Sequence, residues 1–381
     1  MRAVVVGGGI VGLSCAVELA DRGVDVVVCE RGSPGDGSTP RAVGGVRTQF
    51  STPVNVDLSL RSRRTWRDFE ARFGVDIGFR PTGYLLAARE TTTATALRAA
   101  ARMQSARGGD TRVLPPEAAT EHCPGLRTEA FAAVTFSPAD GFADPNLALQ
   151  GYLGAARDAG VDVRADTPVT DVLSEGEEVV GVETPAGEVR ADAVVNAAGP
   201  WAREVAAMAD IDVPVVPRRR QALVAAPERA VPETDPLTID LDSGAYFRPE
   251  RGGAAVVGGH FGAADPAADP DGFPTDVDLE WAATALDRAG DLATYFGPES
   301  RLKRGWAGLY AVTPDDHPVV GESRPGFHQA VGFSGHGFQH APAVGEVVAA
   351  LVTDETPPVD PTALSGDRFV TGDLLAEHNV A

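Results

Sequence analysis

Apolar and polar positions along the chain follow two rhythms. Ala3 to Val6 is a short uninterrupted apolar run, as in strands buried on both faces of a parallel sheet. Gly7, Gly9 and Gly12 follow, and from Ile10 to Arg22 the apolar residues Val11, Ala16, Leu19 and Ala20 recur at helical spacing. Val24 to Glu30 is the next strand. The third strand that would continue this rhythm is absent. Gly32 to Pro53 is instead a long Gly-, Ser- and Pro-rich segment, of a length that is usually functional inside a compact domain. A helix is then expected from about Val54 to Phe73, stopped by Gly74.

From about Phe79 to Asp140 the pattern is mixed, with short strands such as GYLLAA (Gly83 to Ala88) and an Ala- and Arg-rich helix around 93–107. Asp144 and Pro145 open a helix through Ala159, Asp as cap and Pro in the first turn. VDVRA and TPVTDVL follow as strands, and Ala191 to Ala202 reads as a buried strand ending in a small-residue turn. Ala245 to His260 is hairpin-like, and a last helix is expected from Pro342 to Val352, with Val344, Val347, Val348 and Leu351 on one face. No repeat is evident. The expected fold is α/β (α+β overall), in two interleaved domains: 1–78, 141–212 and 305–381 form one, 79–140 and 213–304 the other.

Composition narrows the function classes. Hydrophobic residues make up 43% of 381, enough for a core, and no apolar run approaches the length that spans a bilayer. The N-terminus enters a strand directly, without the pattern of a secretory signal, so a cytoplasmic location is expected. The net charge is −21, which disfavours nucleic acid and anionic lipid as partners. Lys303 is the only lysine; acidic excess with Arg replacing Lys resembles the proteins of salt-accumulating, halophilic microbes. Cys15, Cys29 and Cys123 have no Cys-x-x-Cys spacing and the seven histidines no ligand spacing, so neither disulfides nor a metal site are expected.

Two glycine-rich stretches carry chemistry. Gly7-x-Gly9-x-x-Gly12 sits between strand and helix, where glycines permit a tight turn and backbone approach to a pyrophosphate at the helix N-terminus. Glu30, eighteen residues past Gly12 at the end of the second strand, can accept both hydroxyls of a ribose. The second stretch, GFSGHGFQHAP (Gly332 to Pro342), reads by itself equally as a turn after a strand.

Six stretches in one order, VVVGGGIVGLSCAVELADRGVDVVVCER, GGVRTQF, DGFADP, VVNAAGPWA, WAGLYAVTPDDHPVVG and GFSGHGFQHAPAVGE, resemble the FAD-dependent D-amino-acid-oxidase superfamily. The likeness is strongest to sarcosine oxidases, the sarcosine oxidase β-subunit branch and glycine oxidases. It implies a Rossmann-like FAD-binding domain of glutathione-reductase type with an inserted antiparallel-sheet substrate domain. Cofactor contacts would come from Gly7, Gly9, Ile10, Val11, Gly12, Glu30 and Arg31, from Ser38, Thr39, Arg41, Gly44 and Gly45, from Val169, Ala198, Gly199 and Trp201, and from Gly308. Gly335, His336, Gly337, Phe338 and Gln339 would lie along the flavin, with the following helix aimed at the ring. Relatives attach FAD through a cysteine where this chain has Gly308, or a histidine where it has Arg41, so noncovalent FAD is expected.

The resemblance also implies an amino acid or N-methylamino acid that gives a hydride to flavin N5 and leaves as an imine. Arg47 matches the arginine that pairs with the substrate carboxylate; its other reading is a surface arginine. Gln339 stands where sarcosine oxidases have a second, cationic carboxylate partner. His260 matches a histidine near the substrate and reads equally as structural, while Tyr246 and Arg248 alternate onto one strand face and either line the pocket or serve sheet packing. His317 is read as structural. The lysine that activates O2 in sarcosine oxidases is here Val256, which points to slow reaction with O2 and another acceptor. Two alternatives stay open: a 2-hydroxy-acid or glycerol-phosphate dehydrogenase, and a flavoprotein subunit or assembly factor with a partner subunit.

Overall fold

The computed structural model describes residues 1–262 and 264–379. Its first sheet has six strands in the order Val319–Arg324, Phe327–Val331, Ala193–Asn196, Arg2–Val6, Asp25–Cys29 and Asp162–Arg164. The opening strand lies inside it, Val4 opposite Val27 on one side and Val194 on the other, both parallel. Its alternation feeds two cores. Ala3 and Val5 face a layer built on the helices Ile10–Ala20, Pro145–Asp158 and Gly337–Val352, while Val4 and Val6 face the three-stranded sheet around Val172, Val182 and Val189.

The second sheet has eight strands in the order Arg301–Val312, Val216–Ala226, Ala255–Gly258, Tyr246–Pro249, Leu237–Asp240, Tyr84–Ala88, Ala133–Ser137 and Arg112–Leu114. Every pairing is antiparallel except that of Leu237–Asp240 with Tyr84–Ala88. The helix Leu279–Leu292 covers one face through Ala282, Ala285 and Ala289. The other face carries Tyr84, Leu86, Ile239 and Tyr246. Strand Arg301–Val312 belongs to this sheet throughout its length, so residues 305–312 sit beyond the domain junction expected at 304/305.

Three local expectations are corrected. The helix expected over 54–73 is two, Pro53–Arg67 and Phe69–Phe73, interrupted at Asp68. TPVTDVL is strand only from Asp171. The closing helix begins at Gly337 rather than Pro342, so the glycine-rich turn supplies its first residues and Pro342 lies inside it. It is also buried all round, not on one face. Proline removes one ladder donor and pushes against the preceding turn. The Pro53–Arg67 helix compensates at this point: Ala343 N–H donates to Ser62 Oγ (3.1 Å), and Trp66 Nε1 donates to the carbonyl of Gln339 (2.9 Å). Trp66 also stacks on Phe338, centroids 4.6 Å apart.

The Asp144 cap is as expected, its carboxylate accepting from the N–H groups of Asn146 and Leu147. The closing helix depends on a partner far away in sequence, which makes it testable. Trp66→Phe keeps the stack but removes the buried side-chain donor to the Gln339 carbonyl, and should destabilise the fold by about 1–3 kcal/mol in urea unfolding.

Candidate active site

Between the two sheets lies a cavity of about 540 Å³. At one end stand Gly7, Gly9, Ile10, Val11, Glu30 and Arg31. Gly7 has φ +111°, and a Cβ there would come within 2.5 Å of the Ala197 carbonyl oxygen. Gly12 lies beneath the wall rather than in it: its Cβ would be 2.0 Å from the carbonyl oxygen of Gly7, so its role here is close packing. The helix that starts at Ile10 has no side-chain cap and no acid in its first turn, which leaves an electropositive N-terminus at the cavity. Glu30 accepts from the N–H groups of Gly8 (2.7 Å) and Gly32 (2.9 Å), and a carboxylate so held keeps lone pairs for further donors.

Val169, Ala198, Gly199 and Trp201 form the facing wall of that end. The Arg31 guanidinium lies 4.7 Å from the Trp201 ring centroid, and both groups bind one carboxylate, Asp271 Oδ1, at 2.9 and 3.0 Å. Asp271 comes from the segment after the second sheet's Ala255–Gly258 strand, so the inserted domain closes over the first at this point.

Ser38, Thr39, Arg41, Gly44, Gly45 and Gly308 line the middle. Ser38 Oγ donates to the Leu309 carbonyl (2.7 Å), Thr39 Oγ1 accepts from Ile10 N–H (3.2 Å), and Arg41 Nη1 donates to the carbonyls of Asp36 and Gly37. Gly308 is pressed against Arg41, a Cβ on it falling 2.9 Å from the Arg41 Cβ.

At the other end are Gly335, His336, Gly337, Phe338 and Gln339, with Arg47 and Tyr246. Gly335 has φ +91° and its Cβ would meet the Tyr310 ring at 2.2 Å. The closing helix again starts uncapped, without acids in its first turn. Arg47 is only 4% exposed, yet no carboxylate of the described residues lies within salt-bridge distance of its guanidinium. Its Nη1 donates to the Gln49 carbonyl and its Nη2 to that of Asn379, both at 2.5 Å, while its backbone N–H donates to Gln339 Oε1 (2.9 Å). Burial pulls the Arg47 pKa down from its usual value, against the pull of Tyr84, Glu377 and Asp140. Burial, reinforced by Arg47, drives His336 well below the usual histidine range and His340 down to about 3. Both rings are neutral, and the Nδ1 of each is buried without a partner among the described residues.

Two expected residues are not brought here. His260 lies outside the lining, a third exposed and 3.9 Å from Asp265. Arg248 donates to the Val43 carbonyl (3.0 Å) and lies over Phe142, bracing the loop before Gly44. His317 is fully buried away from the lining, held by Asp315 and Thr52. Sequence reasoning missed Tyr84, Tyr310 and Arg220, which do line the cavity. Tyr84 lies in GYLLAA, whose apolar pattern read as plain strand, and Tyr310 in WAGLYAVTPDDHPVVG, quoted only for the resemblance. It also missed Asp140 of DGFADP, which accepts from Thr48 N–H (2.8 Å) and Arg63 (3.0 Å); burial, opposed by Arg63, pushes its carboxyl up to about 6. Among the described residues no cluster of three or more His, Cys, Asp or Glu could hold a metal ion, and no helix is long and apolar enough to cross a membrane.

Residues 2–351 match the family model described as DAO, FAD dependent oxidoreductase. The chain belongs to that family. FAD-dependent oxidoreductase domain-containing protein 1 of Bos taurus is 31% identical, over 98% of this chain and 86% of its own length. The 4-methylaminobutanoate oxidase (formaldehyde-forming) of Paenarthrobacter nicotinovorans is 30% identical over 97% of this chain, which spans 46% of that relative's length. The crystal structure of L-proline dehydrogenase from P. horikoshii superposes with a TM-score of 0.88 at 32% identity, covering 98% of both chains. The fold is therefore the family's: a Rossmann-like FAD-binding domain with an inserted sheet domain, in an FAD-dependent enzyme.

The cavity fits the cofactor on its own evidence. Two uncapped helix N-termini open into it, glycines stand where a Cβ would collide, and Glu30 presents a carboxylate at one end. Glu30→Ala removes that acceptor from two loop N–H groups as well as from the cofactor. It should weaken FAD binding about tenfold to a hundredfold, read as flavin retained through desalting and by titration of the stripped protein.

Proposed function

We propose that the protein oxidises the C–N bond of a small amino acid or N-methylamino acid, of the sarcosine, glycine or proline class, to an imine that water hydrolyses. The observation that carries this reading is the Arg47 end of the cavity. A buried guanidinium opens there without a carboxylate partner among the described residues, which suits a substrate carboxylate. The acids of the lining, Glu30, Asp36, Glu204 and Asp271, belong to the segments around the first glycine turn and Trp201. No anion at the reacting end would hold a substrate ammonium, and burial disfavours that charged form, so the amine binds as its free base. Two relatives bear on the class: one acts on a 4-methylaminobutanoate, the other is a proline dehydrogenase, and both substrates are secondary amines with a carboxylate.

FAD, when bound, supplies the two-electron acceptor. The chain's part is to anchor the carboxylate at Arg47, enclose the amine among Tyr84, Tyr246 and Tyr310, and shape the pocket without a general base. FAD is held noncovalently in this reading, because neither Gly308 nor Arg41 offers a thiol or imidazole for attachment. In this reading reoxidation by O2 is slow and another acceptor, a small molecule or protein, is preferred. Val256, where a cation would assist O2, is buried in an apolar cluster with Ala222, Val224 and Trp306.

The deciding experiment is anaerobic titration of the FAD-bound protein with sarcosine, glycine, proline and dimethylglycine, followed by bleaching of the visible flavin band. Reduction by lactate or glycerol 3-phosphate, and by none of the amines, would overturn the reading. Arg47→Met should raise the apparent Kd of the reducing amino acid by at least about thirtyfold, the lower end of the penalty for removing one partner of a buried charge pair.

The pH dependence has a defined sign. Burial raises the Tyr84, Tyr246 and Tyr310 pKa values above their usual one and lowers that of His336, so between neutral pH and about 9.5 these groups do not change charge. The reduction rate over Kd should rise with pH as the substrate amine loses its proton. Its midpoint should move with the amine's own pKa from substrate to substrate in stopped-flow measurements. A midpoint shifted by Tyr84→Phe would assign the limb to the protein instead.

A further inference from the structure

The motif TPDDHP and residues 368–379 have so far been given no role in the site, yet the structure joins them to Arg47. Asp315 of that motif forms a buried ion pair with Arg368, at 2.7 and 3.1 Å, and also accepts from the N–H of Leu375 (3.3 Å). The chain then runs to the start of the Pro53–Arg67 helix, which has no side-chain cap of its own. There the Glu377 carboxylate is 7% exposed and gathers five donors. Its Oε1 accepts from Ser51 N–H (2.7 Å), Ser51 Oγ (2.7 Å) and Asn379 N–H (3.1 Å). Its Oε2 accepts from Thr52 Oγ1 and Asn55 Nδ2, each at 3.1 Å. A carboxylate at a helix N-terminus is stabilised by the helix dipole as well as by these bonds.

This anchor fixes Asn379, two residues on, against the substrate end of the cavity. The Asn379 carbonyl accepts from Arg47 Nη2 (2.5 Å), and its Nδ2 donates to the Gln49 carbonyl (3.2 Å), the same oxygen that accepts from Arg47 Nη1. Two carbonyls therefore fix the plane of the guanidinium, and the C-terminal segment supplies one and steadies the other. We propose that Glu377 and Asn379 are positioning residues that orient Arg47 for a ligand carboxylate, making the C-terminal segment part of the substrate site; only the identity of the natural ligand rests on the amine-oxidation reading. A long flexible side chain that must be buried and aimed gains most from such pre-organisation, since ordering it on each binding event would cost affinity.

The probe is acetate, titrated into the FAD-bound protein and followed through the visible flavin spectrum, with sarcosine reduction measured in parallel. Glu377→Gln keeps the side chain's shape but loses its charge and places a donor among donors. It should weaken acetate about tenfold or more and raise the apparent Kd of sarcosine in proportion, while the limiting reduction rate changes by less than about twofold. Asn379→Ala keeps the backbone carbonyl and loses only the tie to Gln49, for an expected weakening of about threefold. Should Glu377→Gln fail to fold, Asn379→Ala decides alone. Wild-type acetate affinity in the folded variants, even with a lowered melting midpoint, would overturn the proposal, because a segment that merely packs acts on stability alone. A wild-type protein showing no response to acetate would overturn it as well. Glu377-dependent acetate binding in a protein that no amine reduces would support the positioning role and remove only the amine reading.

Discussion

The helices Ile10–Ala20 and Gly337–Val352 cross so closely that a Cβ on Gly345 would lie 2.3 Å from Ser14 Oγ. Nearly everything in the site depends on this crossing. It joins the two ends of the chain through small residues, and both helices begin at the same cavity with their N-termini uncapped. An elongated, partly anionic cofactor suits such a place, because the N-termini of two helices are presented together without an acidic side chain in either first turn, Ile10 N–H alone being taken by Thr39 Oγ1. The glycines follow from the same demand, since a Cβ at Gly7 or Gly335 would run into the neighbouring backbone or ring.

The second sheet supplies what the first cannot. It places three tyrosines on the cavity side and an apolar core with the Leu279–Leu292 helix on the other. Aromatic bodies with hydroxyl tips can enclose a small amine without offering an anion to its nitrogen. The chain is strongly acidic, yet the Arg47 end of the cavity carries no lining acid, the acids lie at the Glu30 end, and Arg220, which also lines the cavity, is paired with Asp265. Charge is therefore segregated within the cavity, against the sign of the molecule as a whole.

Arg47 shows how such a charge is tolerated. A buried guanidinium without an ion pair keeps its donors satisfied by carbonyls, at Gln49 and Asn379, and lies 4.0 Å over the Phe50 ring. Gln339, a neutral residue, accepts from the Arg47 backbone and so fixes the segment rather than adding charge. With His336 and His340 neutral beside it, Arg47 is the principal positive group of its neighbourhood.

The strand–helix–strand opening and the Asp144 cap were legible in the sequence because each rests on local spacing, whereas the inserted sheet domain and most of the residues expected along the cavity came from the family resemblance. Apolar rhythm names an element, and glycine marks a place where backbone must come close. The start of the closing helix was misread because Pro342 is a poor interior residue, and only Ser62 and Trp66, distant in sequence, make it acceptable there. Tertiary structure alone decided which side chains share the cavity. His260 and Arg248 left it and Tyr84, Tyr310 and Arg220 entered, since pleat and twist set the face on which each strand residue emerges. Glu377 and Asn379 had no pattern to announce them. Their meaning comes from donors around residues 47–55, more than three hundred positions earlier in the chain, and long-range hydrogen bonds leave no periodic trace in a sequence.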